Sequence, residues 1–180
     1  MDWQPVLEGE RLLLRPLQPE DWDALFAVAS DKEIWAIHPA HDRWQEPVFR
    51  AFFDDALEKR GAMAVIDKAG GTLIGSSRWQ GHESDDRGSV EIGWTFLARS
   101  HWGGQFNPEL KRLMLAHAFG HVRRVVFHVG EANLRSRRAL ENIGARLTDE
   151  KDVILMAGRE VHHVIYEITR ESFALGPLAQ

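Results

Sequence analysis

Residues 90–144 constrain the fold more than any other stretch of this chain. An apolar run, Ser89–Leu97, passes through a glycine turn directly into a helical pattern at Asn107–His121. A second apolar run, Val122–Val129, leads to the arginine-rich helical pattern Leu134–Ile143, closed by Gly144. Two strands joined by a helix are parallel neighbours with a right-handed crossover. The same order gathers free backbone N–H groups and positive charge around one spot, as a phosphorylated ligand requires.

The flanking segments extend this unit. Leu12–Leu17 reads as a strand. Pro19 opens a helix whose first turn holds Glu20, Asp21 and Asp23, whose apolar face carries Trp22, Leu25, Phe26 and Val28, and which stops near Ser30. Residues 32–45 read as a helical turn and a loop, and Pro47–Lys59 has helical apolar spacing. Ala62–Asp67 and Thr72–Trp79 form a hairpin around Ala-Gly-Gly. Val153–Ala157 and Val161–Thr169 form a second one around Gly158-Arg159, and 170–180 is expected to be a surface segment. With no repeat and no linker, 1–180 is expected to be one domain, its core at 10–169. The class is mixed α/β: a twisted, mostly antiparallel sheet of about seven strands with helices on both faces.

Composition limits what such a fold serves. No apolar run approaches the length of a membrane span, and the first ten residues lack a signal peptide's basic and apolar regions. The chain contains no cysteine, hence no disulfide, thiolate nucleophile or cysteine-based metal site. A net charge of −5 argues against nucleic acid as a partner. A cytoplasmic protein fits these features, and a homodimer is compatible with them. Charge is nevertheless segregated: residues 111–138 hold seven basic side chains and one acid, and residues 20–60 hold ten acids and five bases. Such runs are ordinarily solvated helix faces. They also permit a basic end for an anionic cofactor and an acidic end for a cationic amine.

In the glycine turn, Asn107 is a good N-cap, Pro108 suits the first helical position, and Glu109 suits the first turn. Gly103 and Gly104 immediately precede that cap and allow N–H groups to face one side. No Gly-Lys-Ser/Thr follows, so nucleotide hydrolysis has no support.

The segment Ser100-His101-Trp102-Gly103-Gly104-Gln105 resembles the pyrophosphate loop of the GCN5-related N-acetyltransferases, [Q/R]-x-x-G-x-[G/A], matching it at the middle glycine. Ser100 and Gln105 depart from the pattern. Glu91-Ile-Gly-Trp94, Leu12-Leu-Leu-Arg15-Pro, Asp31-Lys-Glu-Ile-Trp35 and Asn133-Leu-Arg-Ser136 through Gly144 resemble the branch of the Rim-type ribosomal-protein acetyltransferases. The resemblance covers roughly residues 10–168. It implies an acetyl-CoA-dependent N-acetyltransferase, with acetyl-CoA as co-substrate, no metal, and a primary amine as acceptor. Without cysteine to carry the acetyl group, direct transfer in a ternary complex is expected. The acceptor would sit between the first two helices and the last hairpin.

The resemblance also implies roles for residues. Backbone groups of Trp94, Phe96 and Leu97 would meet the pantetheine amides. Trp102, Gly103, Gly104, Gln105, Phe106 and Asn107 would surround the pyrophosphate, with Arg138 among the basic groups near it. Asn133 would contact the pantetheine arm, and Ser136 would help the sulfur leave. The tyrosine many members use on this helix is replaced by Leu140. Asn133 and Ser136 equally suit helix capping. Glu91, in an apolar strand, is the candidate base through a raised pKa, or else a carboxylate facing solvent. Simple alternation would place Glu91, Gly93 and Thr95 on one side and Ile92, Trp94 and Phe96 on the other. His38, His41 and Glu83 are weaker base candidates. His117 and His121 have metal-ligand spacing but no third partner, and the adjacent His162 and His163 must face opposite ways. Two other readings remain: a non-catalytic acyl-CoA-binding sensor or scaffold, and a nucleotide-binding regulatory domain.

Overall fold

The computed structural model describes residues 2–81 and 88–179; the candidate base Glu83 lies outside them. The strands are β1 (Leu7–Glu8), β2 (Leu12–Pro16), β3 (Ala62–Asp67), β4 (Thr72–Gln80), β5 (Ser89–Leu97), β6 (Arg124–Gly130), β7 (Arg146–Met156) and β8 (Arg159–Thr169). The helices are α1 (Trp22–Ala29), α2 (Glu46–Lys59), α3 (Phe106–Phe119), α4 (Leu134–Asn142) and α5 (Arg170–Leu175). One eight-stranded sheet has the order β1-β2-β3-β4-β5-β6-β8-β7. All neighbours in it are antiparallel except β5 and β6. The expected mixed sheet and its parallel crossover through α3 are therefore present.

Two apolar layers cover its faces. Leu110, Met114 and Leu115 of α3, with Leu140 of α4, pack with Leu12, Leu14, Ile92, Val125 and Tyr166. On the opposite face, Leu25 and Ala29 of α1 and Phe49, Phe52, Phe53 and Ala56 of α2 pack with Ala64, Leu73 and Phe96. The helical spacing read in each segment thus corresponds to a buried stripe against the sheet.

The differences from the sequence expectation have local causes. The extra strand β1 is a two-residue pairing, Leu7 and Glu8 against Leu14 and Leu13, too short to show periodicity. β7 begins at Arg146 rather than Val153, because its first half, Arg-Leu-Thr-Asp-Glu-Lys-Asp, lies on the sheet edge with a register shift between Leu147 and Lys151. A polar edge strand lacks alternation and resists pairing with other chains. Residues 170–175 form α5, capped by Thr169 through Ser172 N–H, and Phe173 docks on Phe119.

Asn107 is not the N-cap. α3 starts one residue earlier, at Phe106, with Gln105 in the cap position and no side-chain cap hydrogen bond. Gly103 at φ 70° turns the chain, and Gln105 is already helical in conformation. Glu109 is committed elsewhere: its carboxylate accepts the N–H groups of Arg11 (3.0 Å) and Leu12 (2.7 Å), tying the β1–β2 turn to α3. Gly9 belongs to the same fit, since a Cβ there would stand 2.9 Å from that carboxylate. Glu109→Ala strands the buried Leu12 N–H, and a loss of about 1–3 kcal/mol is expected in chemical denaturation; an unchanged midpoint and slope would show that the turn finds another acceptor.

Candidate active site

β5 and β6 are paired over three residues only, Ser89, Val90 and Glu91 against Arg124, Val125 and Val126. Beyond Glu91 the strands part: β5 stays on β4 while β6 continues on β8 as far as Gly130. The β6-facing edge of β5 from Ile92 onward therefore borders a cleft rather than a strand. Chains entering such an opening can pair with the free strand edge.

At the mouth of this opening β5 is bulged. Its register on β4 shifts between Ser76 and Arg78, and Trp94 has φ 55°. A left-handed tryptophan is uncommon and locates the extra residue of the bulge. One inserted residue reverses the faces that follow it. Glu91 and Gly93 share a side, since a Cβ on Gly93 would lie 3.2 Å from the Glu91 carboxylate. Trp94 and Phe96 then join that side, packing with α1 and α2. Thr95 joins the α3 side, where Lys111 Nζ donates to its hydroxyl at 2.6 Å. The strict alternation expected for this strand is thus broken at Trp94. Gly75 of β4 permits the close approach opposite, because a Cβ there would sit 2.0 Å from the Phe96 carbonyl oxygen.

Glu91 is mostly covered, with 22% of its side chain exposed, and burial pushes its carboxyl up to about 7. Arg78 opposes that rise and Asp152 adds to it. His128 of β6 stands 4.0 Å from Glu91 through Nε2 and 3.9 Å from Asp152 through Nδ1. Burial holds the His128 imidazole below its ordinary pKa, against the pull of Asp152. The row Glu91–His128–Asp152 draws on β5, β6 and β7. A separation of 4 Å is too long for a hydrogen bond and suits one bridging water. His128 and Asp152 were not singled out from sequence. The register Glu91↔Val126 puts residue 128 on the same face, but that register is a tertiary fact.

Lys111 is the other group missed. It is buried at 5% exposure on α3, and burial lowers its ammonium to about 7. It joins the Thr95 hydroxyl, which in turn bonds Ser77 at 2.7 Å, so the α3 side of the bulge is polar and fixed.

The loop before α3 presents the helix start without a side-chain cap. Trp102, Gly103, Gly104 and Gln105 are exposed, and a Cβ added at either glycine would meet no atom within 4 Å. Uncapped N–H groups, open space and a fourteen-residue helix dipole fit a phosphate group. Gln105 is exposed and makes no side-chain hydrogen bond to the helix start. Ser100 bonds His101, which reaches Asp67 at 2.9 Å and fixes the loop on β3.

Some expected contacts are otherwise engaged. The Leu97 carbonyl accepts the Trp102 indole N–H at 2.9 Å, and its side chain is in the core. Trp102 also carries the guanidinium of Arg135, 4.1 Å from its ring, and Arg135 donates to the Ile34 carbonyl at 3.0 Å. Loop, α4 and residue 34 are thereby bridged. Arg137 bonds Tyr166 and the Glu131 carbonyl; Arg138 remains exposed. Asn133 is buried at 3% and caps α4 through the Ser136 N–H at 3.3 Å, so the capping reading holds for it. The Ser136 hydroxyl has no hydrogen-bond partner among the described residues. It lies in the first turn of α4, just past the end of β6. Leu140 is buried in the α3–α4 layer.

His38 faces the Glu91 side of the molecule. Its Nδ1 accepts the Ala40 N–H at 2.9 Å, and burial, reinforced by Arg43, Arg135 and His163, lowers its pKa to about 3. A neutral imidazole with an occupied Nδ1 is a poor base. His41 is exposed, and His117 and His121 flank Trp3. His163 is buried while His162 is exposed, as opposite faces require. No group of three His, Cys, Asp or Glu suited to a metal occurs among the described residues, and none of the helices is long and apolar enough to cross a membrane.

Solved structures share this architecture. The chain resembles a GCN5-related N-acetyltransferase from Brucella melitensis (TM-score 0.82, 23% identity, 94% of this chain and 80% of that one). It resembles Mycobacterium smegmatis RimJ in complex with CoA-disulfide (0.75, 18%, 99% and 93%). It also resembles spermidine N-acetyltransferase from Vibrio cholerae in complex with CoA and spermine (0.69, 17%, 92% and 99%). At these identities the likeness speaks for the fold. The sequence profile of the acetyltransferase (GNAT) domain matches residues 11–146, three quarters of the chain and both sides of the cleft. With the parted parallel pair, the bulge at Trp94 and the uncapped α3, that match settles the family: the chain belongs to the GNAT acetyltransferases.

Proposed function

We propose that the protein binds acetyl-CoA in the β5–β6 cleft and transfers the acetyl group directly to a primary amine, with Glu91 as general base. The observation that carries this reading is the position of Glu91. A carboxylate with a pKa raised to about 7 stands at the vertex where the two strands part. Support for the cofactor comes from the family match and from the CoA complexes of RimJ and the spermidine acetyltransferase. The free edge of β5 would receive the pantetheine arm, and the N–H groups at Gly104–Asn107 the pyrophosphate.

In this reading the acceptor ammonium loses its proton to Glu91, directly or through a water shared with His128. The neutral amine forms the new C–N bond at the thioester carbonyl, and the C–S bond breaks. Backbone N–H groups at the Trp94 bulge would stabilise the charge that develops on the carbonyl oxygen. The nitrogen sheds its second proton as the amide forms, and the departing thiolate takes one. The unengaged Ser136 hydroxyl is assigned to relay it, giving its own proton to the sulfur and regaining the one from nitrogen. No residue carries the acetyl group, in keeping with a chain that has no cysteine. A non-catalytic acyl-CoA sensor would not need a carboxylate tuned to neutrality, so transfer is preferred.

The test is release of CoA thiol with a panel of amines. Glu91 must be deprotonated to act, so turnover rises about tenfold from pH 6 to pH 8 and then levels as its ionisation completes. Glu91→Gln is expected to abolish that limb and lower kcat about 10²–10⁴-fold; a limb that survives would place the base elsewhere. The sign for stability is opposite. A carboxyl whose folded pKa is raised favours the folded state at low pH and loses that contribution as pH rises through about 7. Glu91→Gln should therefore gain stability over the parent at pH 8 and not at pH 4, in paired thermal melts. Ser136→Ala should lower kcat at least tenfold with acetyl-CoA affinity unchanged, and unaltered turnover would remove Ser136 from the mechanism.

A further inference from the structure

The acids of residues 20–60 that form ion pairs are turned to neighbouring cations: Asp21 holds Arg15, Asp31 holds Arg99 and Asp55 holds Arg78. The groups that meet the aromatic wall beside Glu91 are basic instead. Arg78 is buried at 2% exposure, with its guanidinium 4.1 Å from the Trp94 ring and 5.4 Å from the Phe52 ring. Arg43, from the loop before α2, places its guanidinium 4.5 Å from the same Phe52 ring and 5.2 Å from Trp35. Two guanidiniums thus share one phenyl ring on the face that holds Glu91.

Their charge is incompletely answered. Arg78 gives Nη1 to Asp55 at 2.7 Å and is attracted also by Glu91, while its Nε is buried without a hydrogen-bond partner among the described residues. The Arg43 guanidinium makes no ion pair or hydrogen bond among the described residues; only its backbone N–H is bonded, to the Ala40 carbonyl at 3.2 Å. Only its neighbour Asp42 attracts it, while burial and Arg78 lower its pKa to about 10. Burying a cation without an anion is costly, and planar guanidinium is the group best shaped to grip a carboxylate through two N–H donors. Arg43 is half-buried, so part of it remains open to solvent.

We propose that the acceptor is an amine that also carries a carboxylate, which Arg43 binds, with Arg78 beside it, while the amine is presented to Glu91. The proposal rests on the acyl-transfer reading and names the substrate class for it. An amino acid supplies both groups in one small molecule, by its α-carboxylate or by an acidic side chain. A polyamine would bring further positive charge against two guanidiniums and is disfavoured on this wall, unlike the acidic surface that the charge of residues 20–60 first suggested.

The experiment compares L-glutamate, its α-amide, its γ-amide (glutamine), L-phenylalanine, phenylalanine amide and spermidine. CoA release and calorimetric binding to the CoA-saturated protein are both measured. Amidation lowers the basicity of the adjacent amine and so raises its reactive fraction; preference for the acid must therefore come from recognition. L-glutamate is expected to surpass at least one of its two amides at least tenfold in kcat/KM and in affinity. Phenylalanine is expected to surpass its amide only where the α-carboxylate is the one read, and spermidine to be inactive. The two amides of glutamate report which carboxylate is read. Arg43→Gln should erase the acid-over-amide ratio, leave CoA affinity unchanged, and spare the amides; Arg43→Lys should retain part of the ratio. Equal use of glutamate and both its amides, equal losses for all three in Arg43→Gln, or no binding of any carboxylate would overturn the proposal. CoA release from none of the acceptors, with acid-selective binding intact, would instead defeat acetyl transfer and leave Arg43 as a carboxylate site.

Discussion

The site depends on a single interruption of hydrogen bonding, the parting of β5 and β6 after three parallel pairs. Closed along the β5–β6 seam, the sheet would have no cleft and no free inner edge on β5. The gap is held open from both sides. β6 is committed to β8 through seven consecutive pairs, and β5 to β4 with Gly75 and the left-handed Trp94 absorbing the mismatch. Strain at Trp94 is therefore maintained by two well-paired flanks, as a sparsely populated backbone conformation requires.

The bulge also decides which chemistry each face receives. By reversing the alternation after Gly93, it leaves Glu91 among Trp94, Arg78 and the α2 aromatics, and it turns Thr95 toward Lys111 and the α3 side. Glu91 and Lys111 thus end on opposite faces of the sheet although Glu91 and Thr95 are four residues apart in one strand. Both are shifted toward neutrality by the same cause, removal from water.

Much of the framework was legible in the chain. The helical stripes of α1, α2, α3 and α4, the Ala62–Trp79 hairpin and the strand–helix–strand unit follow from periodicity and glycine turns, because each buries one face against the sheet. β1 and the first half of β7 were not, since an edge strand needs no apolar alternation. Asn107 was misread as a cap because Gly103 lets the backbone enter the helix before it. Glu91 was found as an acid in an apolar strand; its partners His128 and Asp152 were hidden because their nearness is a matter of register between strands far apart in sequence.

The sequence by itself determined the family and the order of the elements, because these reside in contiguous segments with local periodicity and turn chemistry. Only the tertiary structure decided which side of β5 each residue occupies, that His128 and Asp152 extend the Glu91 row, and that Arg43 and Arg78 converge on Phe52. Those facts depend on a one-residue bulge and on pairings between distant strands. Composition placed an acidic surplus in residues 20–60, and folding brought Arg43 of that region and Arg78 of β4 onto one phenyl ring. Charge counted along a chain does not tell which charges share a pocket.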